Sequence, residues 1–216
     1  MSRPLARRSL RVATPLVALA ALVLAPVSAD AAVTIPVSCV SDEVVLDWDG
    51  ATYELYGACG IVVVEADDAT VTMPTATHLY VTGDDSEVTA KPQTLVEISG
   101  ARSSVTMTSA TTLSITGAGS SATVEGLVEQ VRMRADATSL SADRTHVLVM
   151  RGAGNVAVVR RGFRTRVVGS ENTLEHQRLD RLRIRGDANT VTVAAGAPAS
   201  RVVGTGNTVS VVRPPR

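Results

Sequence analysis

From Gly186 to Val211 the chain reads GDANTVTVAAGAPASRVVGTGNTVSV, so that G-x-x-N-T-V-x-V is written twice, 18 residues apart. If Gly186 and Gly204 mark equivalent corners, earlier corners stand at Gly169, Gly152, Ala135, Gly117, Gly100, Gly83 and Ala66, each 17 or 18 residues from the next. Nine copies in one register are the signature of a repeat architecture. Two residues before the corners come Val64, Val81, Ile98, Ile115, Met133, Met150, Val167, Ile184 and Val202. Five residues after them come Val71, Val88, Val105, Ala122, Leu140, Ala157, Leu174, Val191 and Val209. Every one is apolar. The positions four before and seven after are apolar too, apart from Thr165, Ser200 and His176.

Alternation with period two on both sides of a corner gives two short strands that send alternate side chains inward. A repeat of 17 residues leaves no room for a helix as well, and none of the spacing is helical. The sequence therefore predicts an all-β, single-domain β-solenoid (β-helix) of about nine coils. Stacked at about 4.8 Å, the coils would bury a narrow aliphatic core. The near absence of rings agrees with this: Trp48, Tyr53, Tyr56, Tyr80 and Phe163 are the whole aromatic set.

Three residues after the corners stand Ala69, Ser86, Ser103, Ser120, Thr138, Asn155, Asn172, Asn189 and Asn207. Stacked asparagines can hydrogen-bond from coil to coil, and turn chemistry accounts for Asn155, Asn172, Asn189 and Asn207 without a ligand. The alanine corners, Ala66 and Ala135, are expected to differ from the glycine ones, since positive φ is cheap only for glycine.

Domain limits follow from the ends. Residues 1–31 read as a secretory signal peptide: Arg3, Arg7, Arg8 and Arg11 precede an apolar run from Val12 to Pro26, followed by V-S-A or A-D-A. Residues 32–61 fit the repeat poorly and read as an N-terminal cap, with Trp48 covering the first coil and Cys39 paired to Cys59 in an oxidising compartment. Residues 62–212 hold the repeats. Residues 213–216, R-P-P-R, form a tail whose charge and proline end the strand pairing.

The export signal, the cysteines ahead of the repeats, and GAGNVAVV, GSENTLEH, GDANTVTV and GTGNTVSV between Val147 and Val211 resemble the secreted bacterial family catalogued as domain of unknown function 3060. The resemblance implies export and a β-solenoid, and brings no catalytic residues with it.

Total charge is zero, yet its distribution is lopsided. Between Ala32 and Gly100 there are 12 acidic residues and one lysine, whereas Val131 to Arg216 holds 15 arginines and 6 acidic residues. One and three positions before the corners lie Arg132, Arg134, Arg151, Arg166, Arg183, Arg185 and Arg201, which point outward if the core positions point inward. Such a face suits an anionic polymer or the acidic half of another copy, joined head to tail.

No catalytic cluster is legible. Among His78, His146 and His176, only His146 falls on the short third side of the coil with acidic company, Asp143, and no nucleophile follows at a useful spacing. No cofactor or metal ligand set is expected. The best opening for a polysaccharide-active enzyme is the stacked pair Asp67–Asp68 and Asp84–Asp85, which would also be the best place for calcium. A third reading, ice binding, rests on outward Thr/Ser-x-Thr/Ser pairs such as Thr70 with Thr72 and Thr190 with Thr192. The favoured reading is a non-enzymatic extracellular or envelope scaffold or binding module, without stable membrane insertion after signal cleavage.

Overall fold

The computed structural model describes residues 34–212. The signal peptide and the R-P-P-R tail lie outside them. The first part of the chain alternates between two faces of one stack. Face A takes β1 (Thr34–Ser38), β3 (Thr52–Tyr56), β5 (Thr70–Met73), β7 (Glu87–Ala90) and β9 (Ser104–Met107). Face B takes β2 (Glu43–Leu46), β4 (Cys59–Val64), β6 (Ala76–Val81), β8 (Gln93–Ile98) and β10 (Ala110–Ile115).

Four long strands then cover both faces and the bend between them in one run: β11 (Ser121–Met133), β12 (Ser139–Arg151), β13 (Val156–Val168) and β14 (Thr173–Arg185). The stack ends with β15 (Thr190–Ala195), β16 (Ala199–Val203) and β17 (Thr208–Val211). Every pairing is parallel and joins residues 17 or 18 apart, as in Leu148 beside Thr165 and Leu182 beside Ser200. The protein is an all-β solenoid of about 10 coils in a single domain.

The core follows from that register. Leu79, Val81, Val96, Ile98, Leu113, Ile115, Leu148 and Met150 are fully buried, each lying on its counterpart one coil away. Fully burying one such side chain is worth about 1.5–3 kcal/mol, and the gain recurs at every coil. The two largest polar intruders are Gln93 and His176. Gln93 takes an inward slot and satisfies its amide on the N–H of Ala76 and the carbonyls of Pro74 and Lys91. His176 lies between Val159 and Val193 in the stack and meets the Thr165 hydroxyl at 3.3 Å.

The segment 32–61 differs from its expected irregularity. From Thr34 onward it already carries four strands in the common register, with Thr34 beside Thr52 and Glu43 beside Ile61. The pattern hides there because the corner position is filled by Trp48, not a small residue. Trp48 does not cover the first coil: it projects from the corner with 68% of its surface exposed, and Tyr53 is the buried ring, its Oη accepting the Trp48 backbone N–H at 3.0 Å. Cys39 and Cys59 form the disulfide that staples the first turns together.

The corners are built by two devices. At Gly100 a Cβ would lie 1.9 Å from the carbonyl oxygen of Gly83, so glycine is needed there for close approach while φ stays negative. At Gly186 the same crowding, 2.0 Å from the Gly169 oxygen, is joined by a φ of 134°. The alanine corners have negative φ. Left-handed backbone instead recurs two residues after the corner, at Asp68, Asp85, Arg102, Gly119, Ala137, Gly154, Glu171, Ala188 and Gly206.

Candidate anion-binding face

Three residues after each corner, the polar side chains turn inward and are buried from Ser86 to Asn189. Serine and asparagine perform the same two tasks. Ser103 Oγ accepts the N–H of Ser86 at 3.2 Å and donates to the Gly83 carbonyl at 2.7 Å. Asn189 Oδ1 accepts the N–H of Asn172 at 3.1 Å, and its Nδ2 donates to the Gly169 carbonyl at 2.9 Å. Asparagine adds a third bond, because its second amide hydrogen reaches the next rung: Asn172 Nδ2 to Asn189 Oδ1 and Asn189 Nδ2 to Asn207 Oδ1 are both 2.9 Å. Asn155 accepts from Thr138 and from the N–H of Thr138, while its own Nδ2 finds no partner where threonine gives way to asparagine. The column is internal and offers nothing to a ligand.

The acidic pairs are likewise occupied. Asp67 Oδ1 accepts the N–H of Asp84 at 2.7 Å, and Asp84 Oδ1 accepts the N–H of Ala101 at 2.7 Å, so each ties the next coil to its own. Asp85 is held by Arg102, whose Nε donates at 2.7 Å. That hydrogen bond holds the Asp85 carboxyl below the usual carboxylate range. Asp187 is lowered in the same way by the N–H and hydroxyl of Thr205. Asp68 occupies a left-handed turn position. No group of three or more His, Cys, Asp or Glu side chains is arranged to hold a metal ion among the described residues.

His146 and Asp143 do not form a catalytic couple. Asp143 is engaged by Arg144 and Arg160, whereas His146 stacks on Phe163 with centroids 4.8 Å apart. The opposite side of the Phe163 environment is taken by Arg181, whose guanidinium carbon lies 5.4 Å from the ring centre. On face A the hydroxyl array is broken where Val156, Val158 and Glu175 replace it, the two valines being 41% and 45% exposed.

Face B of the last coils carries the strongest unanswered charge. Strand pairing places Arg166, Arg183 and Arg201 in one column on successive rungs, with Arg132 two rungs earlier beyond Val149. A second column, nearer the corner, holds Arg134, Arg151 and Arg185, with Val168 between the last two. A third column, two residues toward the start of the strand, adds Arg164 and Arg181. The sequence expectation covers only the positions one and three before the corner, yet the position five before it points outward by the same alternation.

A depression of about 650 Å³ lies among Arg164, Arg166, Arg181, Arg183 and Arg201, with no acidic side chain in its wall. A smaller one of about 70 Å³ flanks the central column on its other side, against Arg185. None of these arginines makes an ion pair among the described residues, and Arg166 Nε is buried without a hydrogen-bond partner. Like charges on neighbouring rungs repel, and no acidic side chain among the described residues pairs with these arginines.

Comparison with family models, with curated proteins and with solved structures finds no match for this chain.

Proposed function

We propose that this is a secreted, non-enzymatic β-solenoid that acts in the extracellular space or cell envelope as a scaffold that binds anionic polymer through face B. The observation that carries the reading is the column Arg166, Arg183 and Arg201 with Arg164 and Arg181 beside it, unpaired around one depression. Guanidinium groups bind carboxylates and phosphates through paired hydrogen bonds, and a low-curvature sheet holds them in fixed register. Export is supported by the N-terminal sequence pattern and by the Cys39–Cys59 disulfide. Membership of the family catalogued as domain of unknown function 3060 belongs to the same proposal and rests on the V-x-G-x-x-N-T-V-x-V repeats.

The test is retention of the purified protein on anionic glycans, neutral glycans and DNA at low and moderate salt. Salt-sensitive retention on anionic polymer is expected, and the double variant Arg183→Ala, Arg185→Ala should weaken it about tenfold or more. Unchanged, salt-insensitive retention in that variant would sink the proposal.

A further inference from the structure

Building on the anionic-polymer reading, we infer that the ligand is a linear glycan with a carboxylate on every sugar, laid along the coil axis over Arg166, Arg183 and Arg201. The geometry of the column selects among polyanions. Its arginines recur once per coil, with backbones about 4.8 Å apart, at paired positions of successive strands. An extended acidic peptide presents same-side carboxylates about 7 Å apart, out of step with the coils. Laid across the strands, it would also find the backbone groups of face B already paired.

Nucleic acid fits less well for two reasons. Duplex phosphates recur at about 3.4 Å along each strand and wind around the axis, so they leave a straight column after one or two rungs. Single strands gain much of their affinity by stacking bases on aromatic rings, and Phe163, the one ring beside this region, is engaged by His146 and Arg181. A glycan whose rings are linked end to end advances by close to one sugar per coil. Successive sugars turn their carboxylates to alternate edges, so one edge meets the central column at every second coil and the other faces the flanking arginines, in the planar two-point contact that arginine favours over lysine.

The surroundings match such a chain. Val149, Val168 and Val203 lie in or beside the arginine columns and offer apolar ground for the C–H faces of sugar rings. The depression between the central column and Arg164 and Arg181 accepts a substituent from the ring.

The experiment measures binding of the purified protein to galacturonate oligomers of increasing length. Comparison polymers are hyaluronate, which carries its carboxylate on alternate sugars, polyglutamate and oligo-dT, all at equal charge concentration and low salt. We expect galacturonate to bind about tenfold tighter than each of the others, with affinity levelling off once the oligomer spans the arginine column. Arg183→Lys keeps the charge and loses the fork, so it should weaken binding of galacturonate more than that of oligo-dT, whose phosphates do not keep step with the column; Thr190→Ala, on face A, should change neither. Binding of all polymers in proportion to charge alone would overturn the glycan inference and leave the anionic face standing. Preferred binding of polyglutamate or oligo-dT would overturn it in favour of that class. No binding by any polymer, from protein whose circular dichroism and thermal transition are intact, would overturn both.

Discussion

Asn189 does three things at once: it accepts from the coil before it, donates to a carbonyl of that coil, and donates onward to Asn207. Removing a buried partner strands the groups it satisfied. Asn189→Ala is therefore expected to destabilise the fold by about 2–3 kcal/mol, whereas Asn189→Ser should cost about 1 kcal/mol because Ser103 already performs the first two tasks elsewhere in the column. Urea unfolding of the two variants separates them. An equal loss in both would mean that the third bond, along the column, carries the whole effect.

His176 provides the corresponding prediction for pH. Burial lowers its pKa from 6.5 to about 4. As pH falls below 6.5 the unfolded chain takes up a proton that the folded state refuses until near pH 4, so stability drops through that window. The loss approaches about 3 kcal/mol at its lower end. Asp85 and Asp187, with lowered carboxyl pKa values, lose their contribution only below the ordinary carboxylate range and do not mask this slope. His176→Val, matching Val159 and Val193 on the adjoining rungs, should flatten the dependence when urea midpoints are compared between pH 7 and pH 4.5. A slope that survives the substitution would assign it to other groups.

At the scale of the strand, alternation and register made face B legible before any coordinates: the inward sets named from the repeat are the buried ones, from Val64 to Ile184. Two things escaped. The left-handed residue two places after the corner leaves no consistent mark in sequence, being Asp, Arg, Ala, Glu or Gly, because the turn is enforced by the stack and not by local preference. Trp48 reads from sequence as part of a cap because large rings are usually buried, although its place in the repeat is a corner. The arginine columns also show how one residue divides a surface. Val149 separates Arg132 from Arg166. Val149→Arg would make the column continuous, and it should strengthen binding of long anionic polymer severalfold and steepen its salt dependence. Affinity measured across a salt series gives the answer, and no change in either quantity would argue that the column does not act as a unit.

The whole molecule concentrates repulsion at one end. With 15 arginines against 6 acidic residues from Val131 to Arg216, and most of face B without counter-charge, salt should stabilise the fold by screening. A rise of a few degrees in Tm between low and moderate salt is expected, and Arg183→Gln should raise Tm at low salt while weakening polymer binding. Equal Tm at both salt concentrations would mean that the guanidinium groups are already neutralised. The two ends differ in finish as well. The first rung has Pro36 in β1 and Glu43 in β2, residues that discourage edge pairing. The last leaves Val202, Val203, Val211 and Val212 exposed.

Every strand pairing in the stack joins residues 17 or 18 apart, so no strand is clamped by one from a distant part of the chain. Under tension such a body does not break as a block; it unwinds like thread from a spool. Pulled from its C-terminus, each coil would come free in turn and release about 55–60 Å of chain. The peeling would halt at the loop between Cys39 and Cys59, where a covalent bond replaces the stack as the element under load.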